Sequence, residues 1–289
     1  MKKTNVAIIG TGKIGCDLLV KVMASPYLDC KWFIGRNSES SGINFGKKLG
    51  INCADKGLTS LLENIDDYDV IFDATSASSH LENRKMLKKY NKKIINLTPE
   101  HSGIKCVPSV NLKSAHNEQV TDMITCGGQV SIPMICAVKS MVAKMEYIEV
   151  VTSISSKSAG LATRQNINEY LESTEAAITE FSGCKSRKVI LNINPAEPSV
   201  NMQTTISMLI NDYDTSEVLT SIQSMLRKVQ EYVPHYNLVC DPIFSENKLI
   251  IIIRAKGNGD YLPSYAGNLD IITSASIKVA LSCQYASSS

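Results

Sequence analysis

Short apolar runs alternate with amphipathic helical patterns in the first part of the chain. The apolar runs lie at residues 6–9, 30–34, 70–73, 93–97 and 120–125. Continuous runs of this length are typical of strands that are buried on both faces of a sheet. The clearest helical patterns between them lie at residues 17–24 and 80–89. Repeated alternation of strand and helix predicts a doubly wound parallel sheet.

The pattern changes in the second half, which is richer in β-branched residues. Apolar runs at residues 147–154, 189–193 and 249–254 are separated by long helical patterns at residues 167–181 and 217–232. This order predicts a mixed sheet with helices on one face, in a separate α+β domain of the kind that serves substrate binding and subunit contact. A last helical pattern at residues 267–281 is expected to fold back onto the first domain.

A glycine-rich turn, Gly10-Thr11-Gly12-Lys13-Ile14-Gly15, joins the first apolar run to the first helical pattern. In a GxGxxG turn of this kind, the first glycine makes the tight turn and the second admits a pyrophosphate. The third allows the helix to pack closely on the strand. The motif predicts a dinucleotide site, and the alternative is a glycine-rich turn that binds nothing.

The fold expected from these patterns is α/β, with an N-terminal Rossmann domain followed by an α+β domain. We expect residues 1–125 and 266–289 to form the dinucleotide-binding domain. Residues 126–265 are expected to form a catalytic and dimerisation domain.

The residues after the second apolar run bear on the choice of dinucleotide. An Asp or Glu at this position usually binds the 2′-hydroxyl of the adenosine ribose, whereas a nearby Arg accommodates a 2′-phosphate. Arg36, Asn37 and Ser38 stand there instead of an acid. The missing acid weakens a strict preference for NAD and leaves NADP open, and the alternative is that Arg36 is only a solvated loop residue.

A cysteine follows the last apolar run of the first domain, in the segment Thr125-Cys126-Gly127-Gly128-Gln129. A helical pattern at residues 130–145 follows, and Pro133 would lie in its first turn, where proline is tolerated. Free N–H groups at a helix N-terminus favour a thiolate, and glycines let the backbone approach a carbonyl and donate to its oxyanion. The segment predicts a nucleophilic Cys126 that forms a thioester. The alternative is a small buried hydrophobic residue beside a tight turn.

Composition narrows the class of protein. The chain has 289 residues and a net charge of +2, from 30 Lys and Arg against 28 Asp and Glu. Because these charges are mostly dispersed, no nucleic acid or membrane partner is expected. The nine cysteines include no CxxC pair, and the four histidines never stand at i, i+4 spacing. No metal site and no disulfide framework are expected, and the thiols should be reduced in a cytoplasmic protein.

Together these motifs resemble those of the acylating acetaldehyde dehydrogenases, which convert an aldehyde, NAD and coenzyme A to acyl-CoA and NADH. The shared motifs keep their order along nearly the whole chain. They are residues 6–15 (VAIIGTGKIG), 72–77 (FDATSA), 96–99 (NLTP), 106–108 (CVP), 125–129 (TCGGQ), 153–160 (SISSKSAG), 163–164 (TR), 194–198 (NPAEP) and 261–270 (YLPSYAGNLD).

The resemblance implies roles for particular residues. Cys126 matches the acyl-accepting nucleophile, and the Gly10–Gly15 turn matches the nucleotide-binding turn. The further residues implied to contact the cofactor are Ser158, Ala159, Gly160, Leu161, Ala162, Thr163, Arg164, Gln165, Asn166 and Asn268. The resemblance also implies coenzyme A as co-substrate, a homodimer formed through the second domain, and a 4-hydroxy-2-oxovalerate aldolase as a partner.

The sequence departs from the family pattern in several places. Family members usually carry an Arg-Asp-Thr-like triplet after NPAEP, with the Asp as a base, and Thr204 takes the position of that Asp here. The stretch between Pro242 and Leu249 is shorter than in the family, and Asn37 replaces the acid after the second strand. Two alternatives stay open. One is a semialdehyde dehydrogenase acting on a different aldehyde, and the other is a catalytically impaired relative that serves as a partner of an aldolase.

Overall fold

The computed structural model describes residues 3–160, 163–164 and 166–283. The chain forms two compact units. The first comprises the described residues up to Met123 and from Thr273 onward, and the second comprises Ile124–Ile272. The cofactor-binding and dimerisation roles assigned to the two domains from the sequence stay predictions.

A seven-stranded parallel sheet forms the centre of the first unit. Its strands are β1 (Thr4–Ile9), β2 (Leu28–Ile34), β3 (Cys53–Ala54), β4 (Val70–Asp73), β5 (Lys93–Asn96), β6 (Ile104–Cys106) and β7 (Val120–Met123). The order is β3-β2-β1-β4-β5-β7-β6, and every pair is parallel. The direction of winding therefore changes between β1 and β4, which is where such sheets bind ligands. The prediction of a doubly wound parallel sheet is confirmed.

Helices connect these strands. They are α1 (Lys13–Ala24), α2 (Ser41–Lys48), α3 (Leu58–Glu63), α4 (Ala77–Leu87) and α5 (Pro108–His116). Strands β1 and β4 are almost entirely buried, as their continuous apolar runs predict. The sheet therefore fixes the position of the turns that leave its carboxyl edge.

The second unit contains a six-stranded mixed sheet. Its strands are β8 (Val142–Ser155), β9 (Arg187–Asn194), β10 (Met202–Tyr213), β11 (Tyr236–Leu238), β12 (Ile243–Ser245) and β13 (Lys248–Ala255). The order is β11-β13-β10-β8-β9, with β12 added beside β13. Strands β8 and β9 are parallel, and the other pairs are antiparallel. The predicted mixed sheet is confirmed.

Three helices of the second unit are α6 (Cys126–Lys139), α7 (Ile167–Ser182) and α8 (Thr215–Gln230). Helix α6 packs on β8, β10 and β13 and contacts both α7 and α8. It is buried along most of its length, because a helix between other helices and a sheet has little surface left for solvent. The last helix, α9 (Gly267–Ser282), contains the boundary between the two units.

Strand β10 was absent from the elements predicted from sequence, although it is central in the second sheet. Its residues alternate between buried and half-buried from Met202 to Ile210. Polar Thr204 stands on the buried face among apolar neighbours, which obscures the alternation of period two in the sequence. The missed strand carries one of the side chains discussed below.

The predicted helix at residues 130–145 was wrong at both ends. Helix α6 begins at Cys126 because the Thr125 hydroxyl accepts a hydrogen bond from the Gly128 N–H and caps the first turn. Pro133 therefore lies in the helix interior and not in its first turn. The helix ends at Lys139, since residues from Val142 onward pair with β10. Among the described residues, no helix is long and apolar enough to cross a membrane.

Candidate active site

The three glycines of the turn after β1 have different surroundings. Gly10 has a φ of +106°, and a Cβ atom there would lie 2.3 Å from the Ala74 carbonyl oxygen. A Cβ atom on Gly15 would lie 1.8 Å from the Gly10 carbonyl oxygen, whereas one on Gly12 would meet nothing within 4 Å. The first and third glycines are therefore required by the fold, and the space beside Gly12 is open to a ligand.

This turn lines a cleft of about 460 Å³ in the first unit. The end of β2 contributes Arg36 and Asn37, and the end of β4 contributes Thr75 and Ser76. The other lining residues are Ile9, Gly10, Thr11, Gly12, Ile34, Gly35, Ser40, Gly57, Leu58, Ala74, Ser79, Glu82 and Asn83. Ser79, Glu82 and Asn83 were not predicted from the sequence, because they lie on α4 outside any recognised motif. Of the predicted turn residues, Lys13, Ile14 and Gly15 lie outside this lining.

A buried carboxylate fixes the wall of the cleft that follows β4. Asp73 accepts hydrogen bonds from the Thr75 N–H and hydroxyl, at 3.1 and 2.5 Å, and from the Asn83 side chain at 3.0 Å. The His80 Nδ1 atom lies 2.9 Å from the same carboxylate, and its Nε2 atom lies 3.0 Å from the Ser102 hydroxyl. These contacts hold the start of α4 beside the glycine-rich turn.

Cys126 is the first residue of α6 and is only 8% exposed. Its Sγ atom lies 3.8 Å from the Tyr170 hydroxyl, which comes from α7. Burial raises the pKa of Cys126 to about 11, although the Tyr170 hydroxyl and the N–H groups of Gly127 and Cys126 lower it. The N–H groups at the helix N-terminus thus act in the expected direction, but desolvation of the buried sulfur is the larger influence on its pKa.

The glycines after Cys126 are required by packing. A Cβ atom on Gly127 would lie 2.2 Å from the Tyr170 hydroxyl, and one on Gly128 would lie 2.5 Å from the Ile124 side chain. Side chains from other segments thus occupy the space that each glycine leaves. Tyr170 was not predicted from the sequence, since nothing in the pattern at residues 167–181 distinguishes it from other residues of an amphipathic helix.

The loop after β8 holds several predicted cofactor contacts. Ser158 and Ala159 are buried, and both of their N–H groups donate to the Ser155 carbonyl. Arg164 is exposed and donates to the Ala159 carbonyl at 3.1 Å and to the Ser156 hydroxyl at 2.9 Å. Gly160 is exposed, and Thr163 and Asn166 are half-buried. Leu161, Ala162 and Gln165 lie outside the described residues.

Asn268 lies in the first turn of α9 and is 2% exposed. Its Oδ1 atom is buried and has no hydrogen-bond partner among the residues that the structure describes. An orphaned buried acceptor costs free energy unless a donor reaches it, so this atom suits a ligand with an N–H group.

Comparison with known proteins gives consistent matches for both parts of the chain. Residues 126–263 match the family model for "Prokaryotic acetaldehyde dehydrogenase, dimerisation". Residues 1–98 match the model for "Shikimate / quinate 5-dehydrogenase". The acetaldehyde dehydrogenase of Burkholderia thailandensis is 48% identical over 278 residues, which cover 96% of this chain and 94% of that protein. The chain belongs to the acetaldehyde dehydrogenase family.

Further comparisons agree with this assignment. The acetaldehyde dehydrogenase of Spirochaeta aurantia is 44% identical over 96% of this chain and 94% of its own length. The crystal structure of aspartate semialdehyde dehydrogenase II from Vibrio cholerae aligns with a TM-score of 0.66 at 13% identity, covering 97% of this chain and 98% of that one. The likeness to the Vibrio cholerae structure shows the fold alone. Family membership makes the protein an aldehyde-oxidising oxidoreductase, and its Rossmann-type domain implies a nicotinamide cofactor.

The contact between Gly127 and Tyr170 yields a stability prediction. We expect Gly127→Ala to lower the free energy of unfolding by about 1–3 kcal/mol, because the new methyl group overlaps the Tyr170 hydroxyl. In a Tyr170→Phe background the same change should cost at least about 1 kcal/mol less, since the nearest remaining ring atom lies 3.2 Å from the Cβ position. Denaturant unfolding of the two single variants and the double variant measures this coupling. Equal costs in both backgrounds would contradict it.

Proposed function

We propose that the protein oxidises acetaldehyde, or a similar short aldehyde, with NAD and passes the acyl group to coenzyme A through a thioester on Cys126. The observation that carries this proposal is the position of Cys126 in a chain of this family. It is the first residue of a buried helix, with N–H groups and a tyrosine hydroxyl directed at its sulfur. The hydroxyl and the N–H groups lower the pKa of the buried thiol, which is the direction that a nucleophile needs.

The reaction follows from the chemistry of a thiol and an aldehyde. The Cys126 sulfur bonds to the carbonyl carbon, and the carbonyl oxygen takes up a proton to give a thiohemiacetal. When bound, the nicotinamide accepts the hydride that leaves this carbon. Loss of the hydroxyl proton leaves a thioester on Cys126. The thiol of coenzyme A then attacks the thioester carbonyl, and Cys126 leaves and recovers its proton.

The glycine-rich turn of the first unit supports the nicotinamide dinucleotide. The open space beside Gly12 admits a pyrophosphate, and α1 starts there without a side-chain cap, so that its first N–H groups remain available. In the second unit, the orphaned Oδ1 atom of Asn268 would accept a hydrogen bond from an N–H group of a ligand, in keeping with the cofactor contact that the family resemblance assigns to it. Ser158, Ala159, Gly160, Thr163, Arg164 and Asn166 are the other described residues that we assign to cofactor binding from the family resemblance.

A homodimer through the second unit is the proposed assembly. On the sheet face opposite α6, Thr205 stands between Val151 and Ile252 in register, and all three are half-buried in the single chain. A row of this composition at the centre of a sheet suits contact with a second copy. The family resemblance also implies a 4-hydroxy-2-oxovalerate aldolase as partner, but residues 243–248 form a tight hairpin where the family pattern has a longer stretch.

The first test concerns the nucleophile. We expect Cys126→Ser to abolish nearly all NADH formation from acetaldehyde and coenzyme A while the fold and NAD binding persist. The matched control is Cys136→Ser, in the same helix, which should keep full turnover. Mass spectrometry of the parent enzyme with aldehyde and NAD should locate an acyl adduct on Cys126. An adduct on Cys106 or Cys136 would show that another thiol reacts, and no turnover by the parent would favour the alternatives left open by the sequence.

The second test concerns the cofactor. Because Asn37 brings no negative charge to the cleft beside Arg36, discrimination between NAD and NADP should be within about tenfold, or 1.4 kcal/mol. We expect Arg36→Ala to weaken NADP binding more than NAD binding, measured by fluorescence titration. The exposed Lys56→Ala, whose side chain is outside the cleft lining, is the control. Equal weakening of both cofactors would mean that Arg36 does not contact the 2′ position.

The third test concerns assembly. Combined Val151→Lys and Ile252→Lys changes place like charges in the middle of the proposed interface and should convert a dimer to a monomer in light scattering. Met23→Lys, an exposed apolar residue of the first unit, should leave the dimer intact. A dimer that persists with both interface changes would place the contact elsewhere.

A further inference from the structure

The Tyr170 hydroxyl is held in place beside the Cys126 sulfur by contacts on both helices. The Thr125 hydroxyl, which caps α6, lies 2.6 Å from the Thr174 hydroxyl. Thr174 in turn donates to the Tyr170 carbonyl at 2.7 Å, one turn back along α7. These bonds tie the turn of α7 that carries Tyr170 to the start of α6. The 3.8 Å approach to sulfur is therefore a fixed feature of the packing.

Further hydroxyls continue from Tyr170 into the sheet. Thr152 of β8 is fully buried, and its hydroxyl lies beside that of Tyr170: a Cβ atom on Gly127 would lie 3.6 Å from the Thr152 hydroxyl and 2.2 Å from the Tyr170 hydroxyl. The Thr152 and Thr204 hydroxyls lie 2.9 Å apart, on residues that face each other in the β8–β10 ladder. Thr204 is also fully buried. The second unit thus holds a continuous row of neutral hydroxyls, Thr204, Thr152 and Tyr170, that ends at the Cys126 sulfur.

We propose that Tyr170 is a catalytic residue whose hydroxyl donates a hydrogen bond to the Cys126 thiolate, and that Thr152 and Thr204 are positioning residues that orient this hydroxyl. The proposal rests on the proposed function in so far as Cys126 is the nucleophile of the reaction. In this proposal, three uncharged hydroxyls stabilise the buried negative charge of the Cys126 thiolate.

The direction of the hydrogen bonds follows from the charge on sulfur. A hydroxyl both donates and accepts, whereas a thiolate only accepts. When Cys126 is ionised, Tyr170 must donate to sulfur, and Thr152 and Thr204 can then each donate to the next oxygen along the row. A bond to a charged acceptor is stronger than a neutral one, and a chain of donors strengthens it further. No second charge has to be buried to achieve this.

The ionisation states of the two side chains agree with this arrangement. Burial raises the pKa of Tyr170 well above its usual value, and the neighbouring Cys126 raises it further, so the phenol stays protonated and able to donate. Burial is also the largest influence on the pKa of Cys126. Tyr170 is the titratable side chain that lowers it, and the N–H groups of Gly127 and Cys126 act in the same direction.

Alkylation of the free enzyme by iodoacetamide measures the thiolate directly. The rate at Cys126 is followed by mass spectrometry at several pH values, with the exposed Cys240 of the same chain as internal reference. We expect Tyr170→Phe to raise the pKa of Cys126 by about one unit. At each pH below the pKa of Cys126, the alkylation rate should then fall about tenfold. Tyr236→Phe is the matched control, because that buried tyrosine donates to the Val130 carbonyl of α6 and does not enter the row.

The far end of the row has its own test. Thr204→Val should slow alkylation in the same direction by a smaller factor, and Thr204→Ser should restore the parental profile because it restores the hydroxyl. In a Tyr170→Phe background, Thr204→Val should add no further change, since its link to sulfur is already lost. Thr121→Val, which removes another fully buried strand hydroxyl, serves as control.

An alkylation profile of Tyr170→Phe identical to that of the parent would overturn the proposal. Additive effects of Tyr170→Phe and Thr204→Val in the double variant would also overturn it. If Cys126 resists the reagent in the parent, the ultraviolet absorbance of its thiolate, measured against Cys126→Ser, gives the same titration. These readings use the free enzyme. The alkylation rates therefore report on Cys126 even if the acyl adduct is found on another cysteine. Failure of the proposed Tyr170 hydrogen bond is thus distinguishable from failure of the proposed role of Cys126 as nucleophile.

Discussion

The packing of one phenol hydroxyl against the first turn of a buried helix is the constraint on which the second unit depends. Tyr170 fills the space that a side chain on Gly127 would need, and it does so at the sulfur of Cys126. The sequence around the cysteine is therefore set by volume as well as by chemistry. A larger residue at position 127 would push α7 away, and a smaller residue at position 170 would leave a void beside the thiol.

The two units solve the problem of buried polar groups in different ways. In the first unit, the Asp73 carboxylate is surrounded by donors from Thr75, His80 and Asn83, which fix the wall of a ligand cleft. In the second unit, neutral hydroxyls meet each other across adjacent strands and a helix. Carboxylate oxygens accept hydrogen bonds and so suit a ring of donors, whereas hydroxyls both donate and accept and so suit either form of the thiol proposed as the nucleophile.

The sequence predicted the first unit better than the second because its signals are local. The Gly10–Gly15 turn follows a buried strand directly, and the first and third glycines have steric reasons that the spacing already indicates. Tyr170, Thr152 and Thr204 come from a helix and two strands far apart in the chain, and no local pattern predicts that they meet. The effect of burial on the pKa of Cys126 was missed for a related reason. A helix terminus can be recognised in sequence, but the depth at which the fold buries it cannot, and burial decides the pKa here.

Strand β10 presents different chemistry on its two faces, because successive side chains point to opposite sides of the sheet. Thr204 faces the row of hydroxyls, and Thr205 belongs to the row proposed for subunit contact. Both the row of hydroxyls and the proposed subunit contact therefore depend on the register of this strand. An insertion or deletion of one residue within it would exchange the two faces and damage the thiol environment and the subunit contact together. Length changes in this segment should thus be tolerated only in pairs of residues or at the ends of the strand, and relatives that differ there would be expected to keep its parity.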